Sequence, residues 1–317
     1  MGIFKMENRE LMVRAAWLYY VESLTQQQIA ERLNVTRRRV NEILSEALDT
    51  GMVRISFETA MAESVELESK LRKQFGLQDA VVMPSPHDPA LLHSVLGRGA
   101  AGFLGRLILA QEPSSIGVGW GSTLRETIHH MSSLNYPDIK VRSMMGGLTH
   151  GSEINTFEIV RGFAQTLSAQ CRYFAAPIYA ESAESRDAII SQAVFQKAFK
   201  QICEVDVAYL SVGDVSQQSL QVRYGLPEGM NEKMLQKAGA VGDLMGRYLD
   251  ASGREVDHPL NRQVLAPELE DFRGIGCRIV ASGGAHKHKI LHAVASSGLI
   301  NVLITDADSA RAILAMR

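Results

Sequence analysis

The chain reads as an α/β protein in two parts: an N-terminal winged helix-turn-helix and a C-terminal doubly wound parallel-sheet domain. Three observations carry this. The stretch LTQQQIAERLNVTRRRVNEILSEALDTGMVRISF, residues 24–57, holds two capped amphipathic segments separated by a tight turn. From residue 80 onward, short apolar runs alternate with helical patterns, as βαβ crossovers require. Several of those runs end in glycines, at Gly119, Gly146-Gly147 and Gly283-Gly284.

Residues 8–21 read as a first helix, with Leu11, Ala15, Leu18 and Tyr19 near one face. Thr25 is placed to cap the next helix, and Gln28 stands three residues on, where a capping box wants Glu or Gln. Ile29, Ala30 and Leu33 form its apolar side. Asn34-Val35 supplies the turn, and Thr36 caps the second helix. There Val40, Ile43, Leu44, Ala47 and Leu48 recur at i, i+3, i+4, i+7 and i+8, which predicts one buried stripe. Arg37, Arg38 and Asn41 fall off the stripe near the N-terminal end, where a recognition helix meets base edges and phosphates. Gly51 stops the helix, and residues 52–57 alternate like a wing strand. An arginine triplet is often only a solvated face. Here cap, turn, cap, stripe and stop occur in the order that DNA binding needs. The expected contacts are Arg37, Arg38 and Asn41 to bases, with Thr25, Gln27, Thr36 and Arg39 on phosphates of double-stranded operator DNA.

Residues 58–75 read as a further helix that closes at Gly76, so the boundary is placed to give domains 1–57 and 58–317. Expected strands follow at 80–83, 115–119, 140–145, 173–175, 205–212, 278–281 and 301–305. Helices are expected at 88–110, 122–131, 154–167, 186–200, 286–296 and 308–316.

Composition narrows the classes. With 317 residues and 46% hydrophobic content there is material for two domains and a large core. Net charge is −2, so DNA affinity has to come from a local patch such as Arg37–Arg39. Cys171, Cys203 and Cys277 are odd in number and widely spaced, which points to a reducing cytoplasm rather than a disulfide framework. No apolar run is long enough for a membrane span, and no metal or cofactor is expected.

In open α/β sheets, ligands bind beyond the carboxyl ends of the strands. Gly119-Trp120-Gly121-Ser122-Thr123 lies at such an end, and a helix starting at Ser122 would aim free N–H groups at an anion. No lysine follows as in a P-loop, and the dinucleotide fingerprint spacing fails. Turns between strand and helix also need glycine for purely structural reasons. Asp243, after Ala240-Val241-Gly242, could accept sugar hydroxyls or be a cap or surface acid. Lys287 could neutralise a phosphate or be a solvated first-turn lysine. His288 and His292 have a metal-compatible i,i+4 spacing without the glutamate of H-E-x-x-H, so a polar helix face is the plainer reading. Ser122 is displaced from a nucleophile elbow.

The segments AAWLYYVESLTQQQIAERLNVTRRRVNEIL, IGVGWGSTL, MMGGL, AAPIYAES, KAGAVGDLMGRYLDASG and ASGGAHKHKILHAVASSGLINVLITD occur in this order over nearly the whole chain. Together they resemble the SorC family (SorC/DeoR type) of bacterial sugar-responsive transcriptional regulators. The resemblance implies a C-terminal domain similar to sugar-phosphate isomerases that binds a sugar, sugar alcohol or sugar phosphate without turning it over. It also implies a homo-oligomer, from dimer to tetramer. It assigns phosphate to Gly119, Trp120, Gly121, Ser122 and Thr123, the sugar to Asp243, and the phosphate-neutralising role to Lys287. Gly146 and Gly147, in the MMGGL segment, join the expected effector site. Arg38, Arg39 and Glu42 depart from the family's usual recognition helix, and the ending SVGD at Asp214 replaces a commoner G-I-G. The rival readings are an isomerase with Asp243 as base and Lys287 holding phosphate, and an architectural DNA-binding protein with a vestigial ligand fold.

Overall fold

The computed structural model describes residues 8–53, 60–148 and 154–316. The chain separates into two compact units, with the divide between residues 59 and 60.

The first unit is a bundle of α1 (Asn8–Tyr20), α2 (Gln26–Leu33) and α3 (Arg37–Asp49). The Thr25 hydroxyl accepts from the Gln28 N–H, and the Gln28 side chain accepts from the Thr25 N–H at 2.9 Å, completing the capping box. Asn34 takes the left-handed conformation at φ 53°, and the Thr36 hydroxyl accepts from the Arg39 N–H at 3.1 Å. Ala15, Ile29, Val40, Ile43 and Ala47 are fully enclosed. The stripe stops one residue short of expectation: Leu48 is 42% exposed and lies outside the core. Tyr19 is likewise exposed. Gly51 has φ 70°, as a helix stop requires, and Val53 turns back to donate to the Ala47 carbonyl. Residues 54–57 of the expected wing lie outside the described residues.

The second unit opens with α4 (Ala60–Phe75) and carries a seven-stranded sheet. Its strands are β1 (Asp79–Met83), β2 (Ser115–Val118), β3 (Lys140–Ser143), β4 (Gln170–Arg172) and β5 (Val207–Leu210), together with the two late strands Cys277–Ala281 and Val302–Asp306. Between β5 and those late strands run β6 (Val212–Asp214), β7 (Gly242–Leu244) and β8 (Arg247–Leu249), so the late strands are β9 and β10. All pairings in the large sheet are parallel, in the order β1-β10-β9-β5-β2-β3-β4. Central strands β2, β5 and β10 are buried throughout, whereas β1 at the edge and β3 beside the other edge alternate. That contrast follows from covering both faces of the sheet.

Period-two alternation assigns the faces. Val207 and Tyr209 pack with Phe103, Leu107, Leu124, Ile159 and Phe163 from α5 (Leu92–Gln111), α6 (Ser122–His130) and α7 (Thr156–Thr166). Ala208 and Leu210 face the other way, against Leu71, Phe272, Leu291 and Ile313. The remaining helices are α8 (Ala183–Ile190), α9 (Ala193–Cys203), α10 (Glu232–Lys237), α11 (Pro259–Gln263), α12 (Leu269–Arg273), α13 (His288–Ser296) and α14 (Ala307–Ala315).

Three expectations change. The strand expected at 173–175 is β4, three residues earlier, on the sheet edge. The single helix expected at 186–200 is two, α8 and α9, broken at Ser191-Gln192. The run 205–212 splits, because β6 leaves the large sheet to pair antiparallel with β7, which pairs with β8. Met245 (φ 56°) and Gly246 (φ 78°) join β7 to β8 with both central residues left-handed, the geometry of a type I′ hairpin turn.

Candidate functional site

From β2 the chain moves outward through β3 and β4. It then returns to the other side of β2 with β5 and moves outward the opposite way. The switch point is therefore between β2 and β5, where a crevice must open at the carboxyl ends. A cavity of about 130 Å³ lies there. Trp120 to Thr123 line it from the end of β2, Ser211 to Asp214 from the end of β5, and Asp243, His286 and Lys287 from the neighbouring elements.

One wall suits an anion. The first intrahelical bond of α6 runs from the Arg125 N–H to the Gly121 carbonyl, so the N–H groups of Ser122, Thr123 and Leu124 precede it. Their positive end faces the cavity, where negative charge is favoured. Gly121 has φ 118°, a conformation for which glycine is the natural residue, and its own N–H is spent on the Ile154 carbonyl. Thr123 is buried, and its hydroxyl meets His93 Nδ1 at 3.0 Å. Burial, with Lys287 and His286 nearby, pushes the His93 imidazole down to about 4. Burial likewise lowers the Lys287 ammonium, against the pull of Asp214 and Asp243.

The facing wall holds buried carboxylates. Asp243 sits in β7 and is only 4% exposed, so it is neither a helix cap nor a surface acid. Its Oδ2 accepts from the Gly246 N–H at 3.0 Å, inside the hairpin turn, while Oδ1 has no partner. Burial raises its carboxyl to about 6, against the Gly246 hydrogen bond and Lys287, while Asp214 pushes further upward. A Cβ on Gly213 would stand 2.2 Å from Asp243 Oδ1, so only glycine lets that carboxylate lie against β6.

Some expected residues fall elsewhere. Gly119 does not line the cavity. Its N–H bonds the Tyr209 carbonyl, and a Cβ there would meet Leu210 at 2.9 Å. Gly146 and Gly147 do not line it either. Their N–H groups go to the carbonyls of Leu265 and Ala176, and a Cβ on Gly146 would collide with the Pro177 carbonyl at 2.1 Å. These two glycines serve close packing at the end of β3. Gly283 and Gly284 pack against Asp306 and Ser309. His292 stacks edge-on against Phe75, and no metal-ligating cluster of three or more side chains exists among the described residues. In turn, His93, Ser219 and Gln221 enter the cavity wall without an expectation behind them. Their elements had no motif to mark them.

In the first unit Thr25, Gln27, Thr36, Arg37, Arg38 and Asn41 are exposed, and Arg39 is partly buried. Glu42 accepts from Arg38 Nε at 3.0 Å and from Arg39 Nη1 at 3.4 Å, and both arginines lower its carboxyl. Arg39 also bonds Asn8 at 2.6 Å, Asn41 accepts from Gln26 at 3.2 Å, and Gln27 donates to Glu31 at 3.0 Å. Arg37 makes no ion pair among the described residues. It lines an open groove with Tyr19, Thr25 and Gln27.

A helix-turn-helix joined to an α/β domain with a cavity lined by polar and charged side chains at its switch point is the arrangement of a ligand-responsive transcriptional regulator. Residues 59–315 match the family model of a sugar-binding domain, and residues 17–50 match region 4 of sigma-70. The chain is 30% identical over 312 residues to the deoxyribonucleoside regulator of Bacillus subtilis, covering 97% of this chain and 98% of that one. It is 28% identical over 305 residues to the erythritol catabolism regulatory protein EryD of Brucella abortus, covering 96% of each. The full-length sorbitol operon regulator SorC from Klebsiella pneumoniae superposes with a TM-score of 0.73 at 25% identity, over 97% of this chain and 99% of that one. The chain belongs to the SorC family of sugar-binding transcriptional regulators. It is a regulator and not an enzyme, and the isomerase reading is set aside.

Proposed function

We propose that the protein controls a carbohydrate or polyol catabolic operon in the cytoplasm. Its effector, a sugar, sugar alcohol or sugar phosphate, occupies the switch-point cavity, and operator affinity depends on that occupancy. Residues 1–57 form the DNA-binding domain and 58–317 the effector-binding and oligomerisation domain. The observation that carries the reading is the pairing of the α6 N-terminus and Lys287 with buried Asp243 across one cavity. The α6 N–H groups, Thr123 and Lys287 hold the anionic group, and Asp243 accepts a hydroxyl.

On the DNA side, Arg37, Arg38 and Asn41 read bases, while Thr25, Gln27, Thr36 and Arg39 hold phosphates. Arg38 and Arg39 exchange Glu42 for DNA on binding. A dimer or tetramer presents paired recognition helices to half-sites about one helical turn apart. The effector acts only through different affinities for the DNA-competent and released arrangements.

A thermal-shift screen of free and phosphorylated sugars and sugar alcohols tests this. At least one phosphorylated compound is expected to raise the melting temperature of the effector unit, and Thr123→Ala to abolish the shift. A screen in which no compound stabilises the protein, or in which Thr123→Ala responds like wild type, overturns the assignment.

A further inference from the structure

The hydroxyl-facing wall says more about the ligand than that it carries an anion. Among the described residues, five buried side-chain polar atoms that line this cavity have no hydrogen-bond partner. They are Asp214 Oδ1, Asp243 Oδ1, Ser219 Oγ, and both Oε1 and Nε2 of Gln221. Each of these residues is 5% exposed or less. The Gln221 amide lies beside the Tyr179 hydroxyl, whose proton goes to the Gly246 carbonyl at 2.6 Å and so is not offered to Gln221 Oε1. A buried polar atom left unpaired is costly, so folded proteins keep such groups few and give them a purpose. Their concentration on one wall, from β6, β7 and the entry to the π-helix Gln221–Gly225, marks it as built for a ligand that supplies its own hydrogen bonds.

The chemistry of the wall is lopsided. Ionised Asp214 and Asp243 only accept, Gln221 offers one acceptor and one donor, and Ser219 does either. Three fixed acceptors stand against one fixed donor. A hydroxyl satisfies such a wall because it donates. A ring-closed aldose phosphate turns one such hydroxyl into a ring ether oxygen that cannot donate, and a deoxygenated carbon leaves an acceptor unpaired. The cavity, about 130 Å³, is small beside the roughly 300–1,000 Å³ of most small-molecule sites, so the chain of the ligand is short.

We propose that Asp214, Ser219 and Gln221 form, with Asp243, a hydroxyl-reading subsite that makes this regulator select a short-chain polyol phosphate over the corresponding aldose and deoxy-sugar phosphates. The inference rests on the phosphate placement at α6 and Lys287 proposed above. Isothermal titration of the full chain with ribitol 5-phosphate, ribose 5-phosphate, 2-deoxyribose 5-phosphate and inorganic phosphate tests both separately. Ribitol 5-phosphate is expected to bind about tenfold or more tighter than 2-deoxyribose 5-phosphate, since a site built around hydroxyls rejects an analogue lacking one. Asp214→Asn and Gln221→Leu each bring that preference close to one, and neither weakens inorganic phosphate. Ser219→Ala is the smallest change and serves if Gln221→Leu lowers the ligand-free melting temperature. Thr123→Ala weakens every probe, phosphate included. Equal affinity for the ribitol and deoxyribose phosphates, or a preference that survives Asp214→Asn and Ser219→Ala, overturns the subsite while leaving the phosphate placement standing. Probes that all bind with Thr123→Ala making no difference, or a failure of every probe to bind, overturn the placement itself and the subsite with it.

Discussion

The recognition helix and the effector cavity handle polar groups in opposite ways. On α3 two of the three arginines are already partnered at the surface: Glu42 takes both Arg38 and Arg39, and Arg39 also holds Asn8. In the cavity the carboxylates are buried and part of their capacity is unmet. Exposed ion pairs are worth little and exchange easily, so on the function proposed above the DNA face would give up its internal partners at low cost. Buried unpaired groups are costly, so the cavity gains much from a ligand that matches them and rejects one that does not. On the proposed function, one surface serves exchange and the other selection.

Four substitutions probe this difference, in falling order of effect. Ile43 is fully enclosed under α3, and Ile43→Ala is expected to destabilise the first unit by about 2–5 kcal/mol. Chemical denaturation should show that unit melting early and operator binding lost, while effector titration on the second unit stays at the wild-type value. Lys287→Met removes the cavity's cation and is expected to weaken a sugar phosphate about a hundredfold, or about 2.7 kcal/mol. Calorimetry reads this directly, and DNA affinity without effector should not move. Arg38→Ala is expected to cost about 1–3 kcal/mol in operator binding if its guanidinium, freed from Glu42, contacts a guanine. Footprint titration on single-base operator variants would show the lost discrimination at one position.

The smallest effect is a pH dependence. His93 is held neutral down to about 4 in the fold, below its usual 6.5. Its contribution to stability is therefore present above pH 6.5 and lost as pH falls toward 4, because the unfolded chain takes the proton first. Asp243, raised to about 6, acts in the opposite sense, its contribution falling as pH rises from about 4 to 6. Comparing His93→Gln with wild type isolates the histidine. The loss of stability between pH 7 and pH 5 is expected to shrink by about 1 kcal/mol in the variant, allowing for partial exposure. An unchanged pH profile would mean that the imidazole is not desolvated.

Local signals carried the first unit. Caps, turn and stripe all lie within residues 25–51, so propensity and periodicity were enough there, and the residues placed on an apolar face but found exposed, Tyr19 and Leu48, both stand near the end of a helix. The large sheet was legible because its central strands are unbroken apolar runs. Its edge strand β4, polar and three residues long, had no such signature. The cavity wall was the least legible. β6, β7 and β8 are three residues each, and β6 meets β7 nearly thirty residues downstream. The burial of Asp243 follows from that pairing and from the Gly213 gap, neither of which has a local pattern. Glycine was an ambiguous sign throughout. Gly121 shapes the α6 entry, whereas Gly146 admits the Pro177 backbone and Gly147 the Phe157 ring.

The central claim is that occupancy of the switch-point cavity sets operator affinity. Fluorescence anisotropy of the full chain on the DNA fragment it selects from its own genome, with and without ribitol 5-phosphate, tests it most directly when run beside Lys287→Met. The account predicts a change in operator dissociation constant on adding the effector in wild type, no change in Lys287→Met, and equal affinities for the two proteins without effector. A Lys287→Met protein that still responds fully, or a wild type whose operator affinity is indifferent to every phosphorylated sugar and polyol tried, would contradict it.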